Sequence, residues 1–272
     1  MAVDAGREIP MEEFERVWIL GVGIHNISTG QALSTIARWI DNRQKPRCVF
    51  TPNEDLIMKA RRDDAFRRML NNSDLAVPDG MAVVYASRVL GTALSGTVNG
   101  RLLARDLCQK AADRGWSVYF LGGRPGAAEL AGKRMQQAHP ALRVAGNHCP
   151  AFEFALGDEE DAKAVAAVRD ARPDILFVAL GSPKQEKWIA AHADAIMVPV
   201  SIGVGYAFDM LGGLVRDPPG WTTRIGLDWL WRLAREPRRL WRRYLLEGMI
   251  FIGLVLKTRW KEGVGRGERE RR

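Results

Sequence analysis

Short runs dense in Val, Ile, Leu and Phe recur along the chain, each followed by a longer stretch carrying Ala, Arg and Glu. The runs are VWILGVGI (17–24), RCVFT (47–51), DLAV (74–77), SVYFLG (117–122), LRVAG (142–146), DILFVAL (174–180) and VPVSIGV (198–204). Apolar residues fill successive positions in them, so the strands they form need cover on both faces. The stretches at 31–41, 54–71, 80–90, 101–114, 125–138, 159–171, 184–193 and 206–212 are the helices that supply it. This order predicts an α/β chain with a Rossmann-like, mostly parallel sheet covered by helices on both faces. With 47% hydrophobic and 26% charged residues, a disordered chain is excluded.

The texture changes near Pro218-Pro219-Gly220, where two prolines and a glycine interrupt regular structure. The boundary belongs there, with a Rossmann-like catalytic domain at 1–219 and a basic, Trp-rich helical appendage at 220–272. From Trp221 onward the chain holds 14 basic and 6 acidic residues, a surplus equal to the +8 of the whole molecule. The body is therefore neutral. Five of the nine tryptophans (221, 229, 231, 241 and 260) also fall in this tail. Two helices are predicted, WLWRLARE and PRRLWRRYLLEGMIFIGLVL, with Pro237 opening the second at a position that needs no N–H donor.

The apolar stretch from Tyr244 to Leu256 is 13 residues long and contains Glu247. A bilayer span takes about 20. Arginines and tryptophans border it, which suits a helix lying in the headgroup layer of an anionic membrane. Packing on the body, or against a second copy in a homo-oligomer, is the other use of the same surface. The N-terminal MAVDAGREIP has acids and a proline where a signal peptide needs a basic start and an apolar run, so export by that route is not expected.

Three cysteines without CxxC spacing and four histidines without a paired metal spacing point to a reducing compartment and no structural metal. The candidates for chemistry are polar groups at strand ends. Thr51-Pro52-Asn53 follow RCVF, Pro78-Asp79-Gly80 follow DLAV, and Phe208-Asp209 follow a Gly203-Val204-Gly205 turn. A carboxylate held there takes a proton from a hydroxyl within hydrogen-bond reach. Asp79 is the best single candidate, its structural alternative being the N-cap of a helix beginning at Gly80. Asp209 reads as structural and Asp174 as a turn residue.

In SVYFLGGRPGAAELA a strand runs into Gly122, Gly123, Pro125 and Gly126 and then a helix. Glycines at that junction let backbone N–H groups approach a phosphate, though the spacing is GGxxG and a tight turn explains it as well. LFVALGSPKQEKWI repeats the pattern, with Ser182, Lys184, Gln185 and Glu186 opening the next helix. Both junctions lie outside the carboxyl ends of strands, where doubly wound sheets bind ligands. Neither GxSxG nor GxxxxGK[ST] occurs, so α/β-hydrolase and P-loop readings fall away.

Six blocks in order then carry a resemblance: TPNEDLIMKARRD, DLAVPDGMAVVYASRVLG, VYFLGGRPGAAELA, PDILFVALGSPKQEKWI, GVGYAFDMLGGLVRDPPGW and GLDWLWRLAREPRRLWRRY. They resemble the WecG/TagA/CpsF glycosyltransferases, glycosyltransferase family 26, over about residues 18–256. The resemblance implies a peripheral enzyme at the cytoplasmic face of the bacterial inner membrane. It implies transfer of a hexose or N-acetylhexosamine-type sugar from a UDP-sugar to a polyprenyl-diphosphate-linked saccharide, with inversion, no metal and no cofactor. It makes Asp79 the catalytic base, puts Thr51 and Asn53 on the sugar side, and puts Gly122 and Gly123 along the nucleotide crevice. Gln185 and Glu186 would hold UDP, and Arg216, Arg224 and Arg232 would close over the site from the appendage. Such arginines stabilise a departing diphosphate where no metal does so.

The chain departs from the family pattern twice. Where members carry Arg-Val-x-Gly-x-Asp-Leu it has Thr97-Val98-Asn99-Gly100-Arg101-Leu102-Leu103, so contacts from that helix start are in doubt. The usual Arg-Ala-Pro is Arg216-Asp217-Pro218, which sets an acid beside a phosphate-facing arginine. A nicotinamide oxidoreductase would want an acid after the next strand, and the chain reads Ala145-Gly146-Asn147. A non-enzymatic membrane scaffold using the basic tail would bind without turnover. Nucleic acid is not an expected partner, because the tryptophans cluster at the apolar segment and not on a stacking platform. The sugar stays open among N-acetylmannosamine, its uronic acid and glucose, and the pathway is read as exopolysaccharide, capsule or a related glycan.

Overall fold

The computed structural model describes residues 14–269 except 152, 217, 220, 221, 223–226 and 236, and at 232, 239, 240, 243, 244 and 262–269 the backbone alone. The first apolar run is not one strand. β1 (Arg16–Ile19) and β2 (Val22–His25) pair antiparallel through Leu20 and Gly21, whose φ values are 48° and 88°. Two successive residues at positive φ make the tight reversal that matches strand twist. Apolar patterning is blind to that reversal, because Val17, Ile19, Val22 and Ile24 are all buried whichever way the chain runs.

The remaining strands form a single parallel sheet. These are β3 (Arg47–Phe50), β4 (Leu75–Ala76), β5 (Ser117–Gly122), β6 (Arg143–His148), β7 (Ile175–Ala179) and β8 (Val200–Gly203), in the order β4-β3-β8-β7-β5-β6. Successive side chains of β5 separate cleanly. Val118 and Phe120 join a core with α1 (Thr29–Asn42), α5 (Gly100–Arg114), α6 (Ala127–Ala138) and α9 (Ala207–Leu211). Tyr119 and Leu121 join a second core with α2 (Glu54–Arg62), α3 (Asp64–Asn71), α4 (Met81–Leu90), α7 (Glu159–Ala171) and α8 (Lys184–Ile196). The expected α/β, Rossmann-like architecture is therefore present, with helices on both faces.

The stretch expected as one helix at 54–71 is two. Asp63 ends α2 and its side chain accepts from Phe66 N at 2.9 Å, capping α3. Asp174 is more than a turn residue: its carboxylate accepts from the Ser117 N–H and hydroxyl and pairs with Arg43, joining the starts of β5 and β7. In the tail, α10 (Asp228–Arg235) is followed by α11 (Pro237–Trp241), a π-helical turn at Arg242–Glu247, and α12 (Gly248–Arg269). The second tail helix thus starts at Pro237 as expected but continues well past Leu256. α12 lies along α4, with Phe251 and Val255 buried in the same core as Val83 and Val84. Among the described residues no helix is long and apolar enough to cross a membrane.

Candidate functional site

Thr51, Asn53, Asp79, Gly122, Gly123, Gln185 and Glu186 all lie at or after the carboxyl ends of β3, β4, β5 and β7, Gly122 being the last residue of β5. The structure divides them into two groups. The first surrounds Asp79. Its N–H donates to Pro52 O at 3.0 Å, which ties the loop after β4 to the loop after β3. Gly80 turns the chain into α4 with φ 92° and is itself the N-cap, without a side-chain bond. Asp79 is therefore not the helix cap, and the structural alternative for it falls.

The segment at 97–100 completes this group. Val98 N donates to Pro78 O at 2.7 Å, and Asn99 caps α5, its Oδ1 accepting from Arg101 N and Leu102 N. Asn99 Nδ2 donates to Asp79 Oδ1 at 3.1 Å. A Cβ at Gly100 would stand 3.1 Å from Thr51 Cγ2, so the glycine lets α5 begin against the end of β3.

Asp79 opens into a cavity of about 580 Å³. Its polar lining is Asn53, Glu54, Asp79, Thr97, Asn99 and Asp228. The walls are apolar: Met81, Tyr85 and Val89 come from α4, and Met249, Phe251, Ile252, Val255 and Leu256 from α12. Asn53 also caps α2, accepting from Leu56 N at 3.0 Å. The arrangement brings the Asp79 carboxylate and a broad apolar surface into one groove.

The second group lies under the turn after β8. Thr51 Oγ1 donates to Gly203 O at 3.1 Å, and Gln185 Oε1 accepts from Gly205 N at 3.1 Å. Gln185 Nε2 donates to Glu186 Oε1 at 2.7 Å. Glu186 is fully buried, and burial pushes its carboxyl up to about 7. Thr51, Gln185 and Glu186 thus hold the turn at 203–205 in place from beneath. Gly122 and Gly123 have φ of 98° and 84°. A Cβ on Gly122 would stand 2.8 Å from the Ala179 backbone, and Gly123 N already donates to Ala179 O at 2.8 Å. These glycines serve close strand packing as well as any ligand.

Arg216 is exposed and does not line the cavity, Arg224 lies outside the described residues, and Arg232 is described by its backbone alone. A cation that sequence reasoning passed over is Arg124, in the glycine loop after β5. Its Nε is 3.3 Å from the buried Asp209 carboxylate, its Nη2 donates to Tyr206 Oη at 3.1 Å, and its guanidinium lies over the Tyr206 ring. Asp209 is buried and holds Arg124 from within the fold. Asn99 and the groove walls were passed over too. An Asn-Gly pair opening a helix signals a cap, but nothing in sequence reveals that the cap reaches Asp79. Among the described residues no cluster of three His, Cys, Asp or Glu side chains has metal-holding geometry.

The model of the glycosyl transferase WecG/TagA/CpsF family matches residues 17–264. Similar proteins include two named N-acetylglucosaminyldiphosphoundecaprenol N-acetyl-beta-D-mannosaminyltransferase from Bacillus. The one from Bacillus subtilis strain 168 is 29% identical over 230 residues, 82% of this chain and 86% of the relative. The one from Bacillus spizizenii is 29% identical over 205 residues, 75% and 77% of the two chains. A Staphylococcus aureus protein of the same name is 27% identical over 247 residues, 90% and 94%. With a parallel doubly wound sheet, a carboxylate after its outer strand and a family match over nearly the whole chain, the protein belongs to the WecG/TagA/CpsF family of glycosyltransferases.

Proposed function

We propose that the protein transfers a hexose or N-acetylhexosamine-type sugar from a UDP-sugar to a polyprenyl-diphosphate-linked saccharide, with inversion and without a metal, at an anionic membrane surface. The observation that carries this reading is the cavity: Asp79 is among its polar lining, and the residues that α4 and α12 bring to it are largely apolar. A sugar hydroxyl on a lipid carrier needs both, a base at the reacting atom and an apolar bed for the prenyl chain. The names of the relatives favour N-acetylmannosamine as the sugar and a diphospholipid-linked N-acetylglucosamine as its acceptor. The exopolysaccharide assignment has no support from the cavity or from those names.

In this mechanism the acceptor hydroxyl gives its proton to the Asp79 carboxylate while its oxygen attacks the anomeric carbon from the face opposite the diphosphate. The bond from that carbon to the diphosphate oxygen breaks, UDP departs with the electron pair, and the configuration inverts. Arginine at the mouth of the crevice stabilises the departing charge, and Arg124 stands in the loop where a donor diphosphate would approach.

The test is UDP release from a panel of UDP-sugars with a prenyl-diphosphate N-acetylglucosamine acceptor in EDTA, comparing wild type with Asp79→Asn. Acceptor-dependent release from one donor, reduced by about 10³-fold or more in Asp79→Asn while UDP still binds, is the expected result. Equal rates in the two proteins would remove Asp79 as the base.

A further inference from the structure

We infer that Asn99 is a positioning residue for the Asp79 carboxylate, an inference that rests on the reading of Asp79 as the base. Its amide has no freedom to turn. The two N–H groups at the start of α5, Arg101 N at 3.1 Å and Leu102 N at 3.2 Å, both donate to Oδ1. That fixes which end of the amide is oxygen, because Nδ2 offers those donors nothing to bond. Nδ2 is thereby turned toward Asp79 Oδ1, 3.1 Å away. The residue faces the base as a donor only.

Three consequences follow from elementary chemistry. A donor held against one carboxylate oxygen favours the ionised form, the form that accepts a proton. It also ties one oxygen of the carboxylate to the start of α5 and so restrains the carboxylate plane. And it couples the base to the N-terminal end of a 15-residue helix, where the helix dipole favours a negative charge. The backbone supports the same geometry: Val98 N to Pro78 O at 2.7 Å and Asp79 N to Pro52 O at 3.0 Å clamp the donor's loop and the base's loop together. Asn99 and Asp79 both line the cavity, so the pair meets the incoming hydroxyl together. The segment in which Thr97 and Leu102 stand for the family's Arg and Asp thus still presents a donor to the base.

Capping and positioning can be pulled apart, because Ser and Asp cap helices as well as Asn does. Asn99→Ser keeps the cap and removes the amide donor. Asn99→Asp keeps the cap and sets an anion against Asp79. Asn99→Ala removes both cap and donor. Two readouts serve. Carbon-13 NMR titration of the Asp79 carboxyl needs no substrate, and the pH–rate profile of UDP release with the acceptor above reads the chemistry.

Positioning requires the Asp79 midpoint and the acid limb of kcat to move to higher pH already in Asn99→Ser, where the cap is kept and only the donor is lost, and by about one unit or more in Asn99→Asp, where repulsion adds to that loss. It also requires kcat to fall on the order of 10²-fold in Asn99→Asp, with melting temperature close to wild type. In an Asp79→Asn background the same changes should have no further effect on the residual rate. A cap-only role gives wild-type titration and kcat in Asn99→Ser, with loss in Asn99→Ala in step with its melting temperature; that result overturns the inference. Full activity of Asp79→Asn overturns the reading of the base itself, a separate outcome.

Discussion

At the scale of single residues, two buried groups hold protonation states that water would not give them. Burial raises the Glu186 carboxyl to about 7, and burial together with the Arg16 guanidinium lowers the His25 ring to about 4. Arg16 Nε donates to His25 Nε2 at 3.1 Å, so that nitrogen must keep its lone pair. The two act on stability with opposite sign. Glu186 costs nothing below about pH 4.5, and its burial destabilises the fold increasingly as pH rises to about 7. His25 costs nothing above about pH 6.5, and destabilises as pH falls toward 4. Each spans roughly 3 kcal/mol. Between pH 4.5 and 6.5 the folded protein keeps a proton on Glu186 that the unfolded chain gives up, and lacks one on His25 that the unfolded chain takes. Their pH slopes cancel there, while their costs add to a constant. Relative to wild type, Glu186→Gln should gain stability with rising pH in this window, and His25→Gln should lose it. Urea titrations at pH 5.0 and 6.3 read both slopes; parallel lines for all three proteins would refute the assignment.

Asp79 was legible in sequence because a Pro-Asp-Gly after an apolar run marks a strand end whatever the rest of the chain does. Asn99 was not, because its partner is twenty positions away and only the packing of Gly100 on Thr51 brings them together. Gln185 and Glu186 were found by position, yet their amide and carboxyl face each other and the 203–205 turn. Sequence shows that a polar residue opens a helix and does not show which way it points.

At the scale of elements, strands β5 and β7 and helix α7 fall within a residue of where apolar runs and Ala-rich stretches put them. The misses share a cause: apolar patterning does not record a change of direction. Leu20-Gly21 reverse the chain inside one apolar run, and Asp63 breaks one amphipathic stretch into two helices. The tail helix was cut short at Leu256 because hydrophobicity stops there, whereas helical hydrogen bonding runs on through polar residues.

α12 presents two faces with different work. Phe251 and Val255 are buried, while Met249, Ile252, Leu256 and Trp260 are exposed, Trp260 by 75%. Arg238, Arg242, Lys257, Arg259 and Lys261 are exposed around them. Charging the outer face should therefore spare the fold and damage membrane binding. Ile250→Glu with Trp260→Glu, both exposed and outside the cavity lining, should weaken binding to phosphatidylglycerol vesicles by more than about tenfold. Added salt should weaken wild-type binding through the basic residues. Sedimentation with vesicles measures both. Unchanged binding in the double variant would move the contact elsewhere.

At the scale of the whole molecule, the question is whether the tail is a separate unit. The division at 219/220 was drawn from composition, and α12 nonetheless places Phe251 and Val255 in a core shared with β5, β7 and α4. A helix that supplies core side chains is expected to unfold with the body. Phe251→Ala should then destabilise the protein by about 3–5 kcal/mol in a single transition seen alike by far- and near-ultraviolet circular dichroism. An early helical loss that leaves the near-ultraviolet signal intact would make the tail an independent appendage.

The cavity wall has a further consequence. Under the proposed function, an acceptor that reaches Asp79 along α12 would stay in the lipid layer that holds its tail, and its search for the enzyme would take place in two dimensions. The quantity that sets the rate is then the acceptor's mole fraction in the bilayer, not its concentration in the tube. Diluting the membrane with inert lipid slows such an enzyme even though nothing in solution has changed.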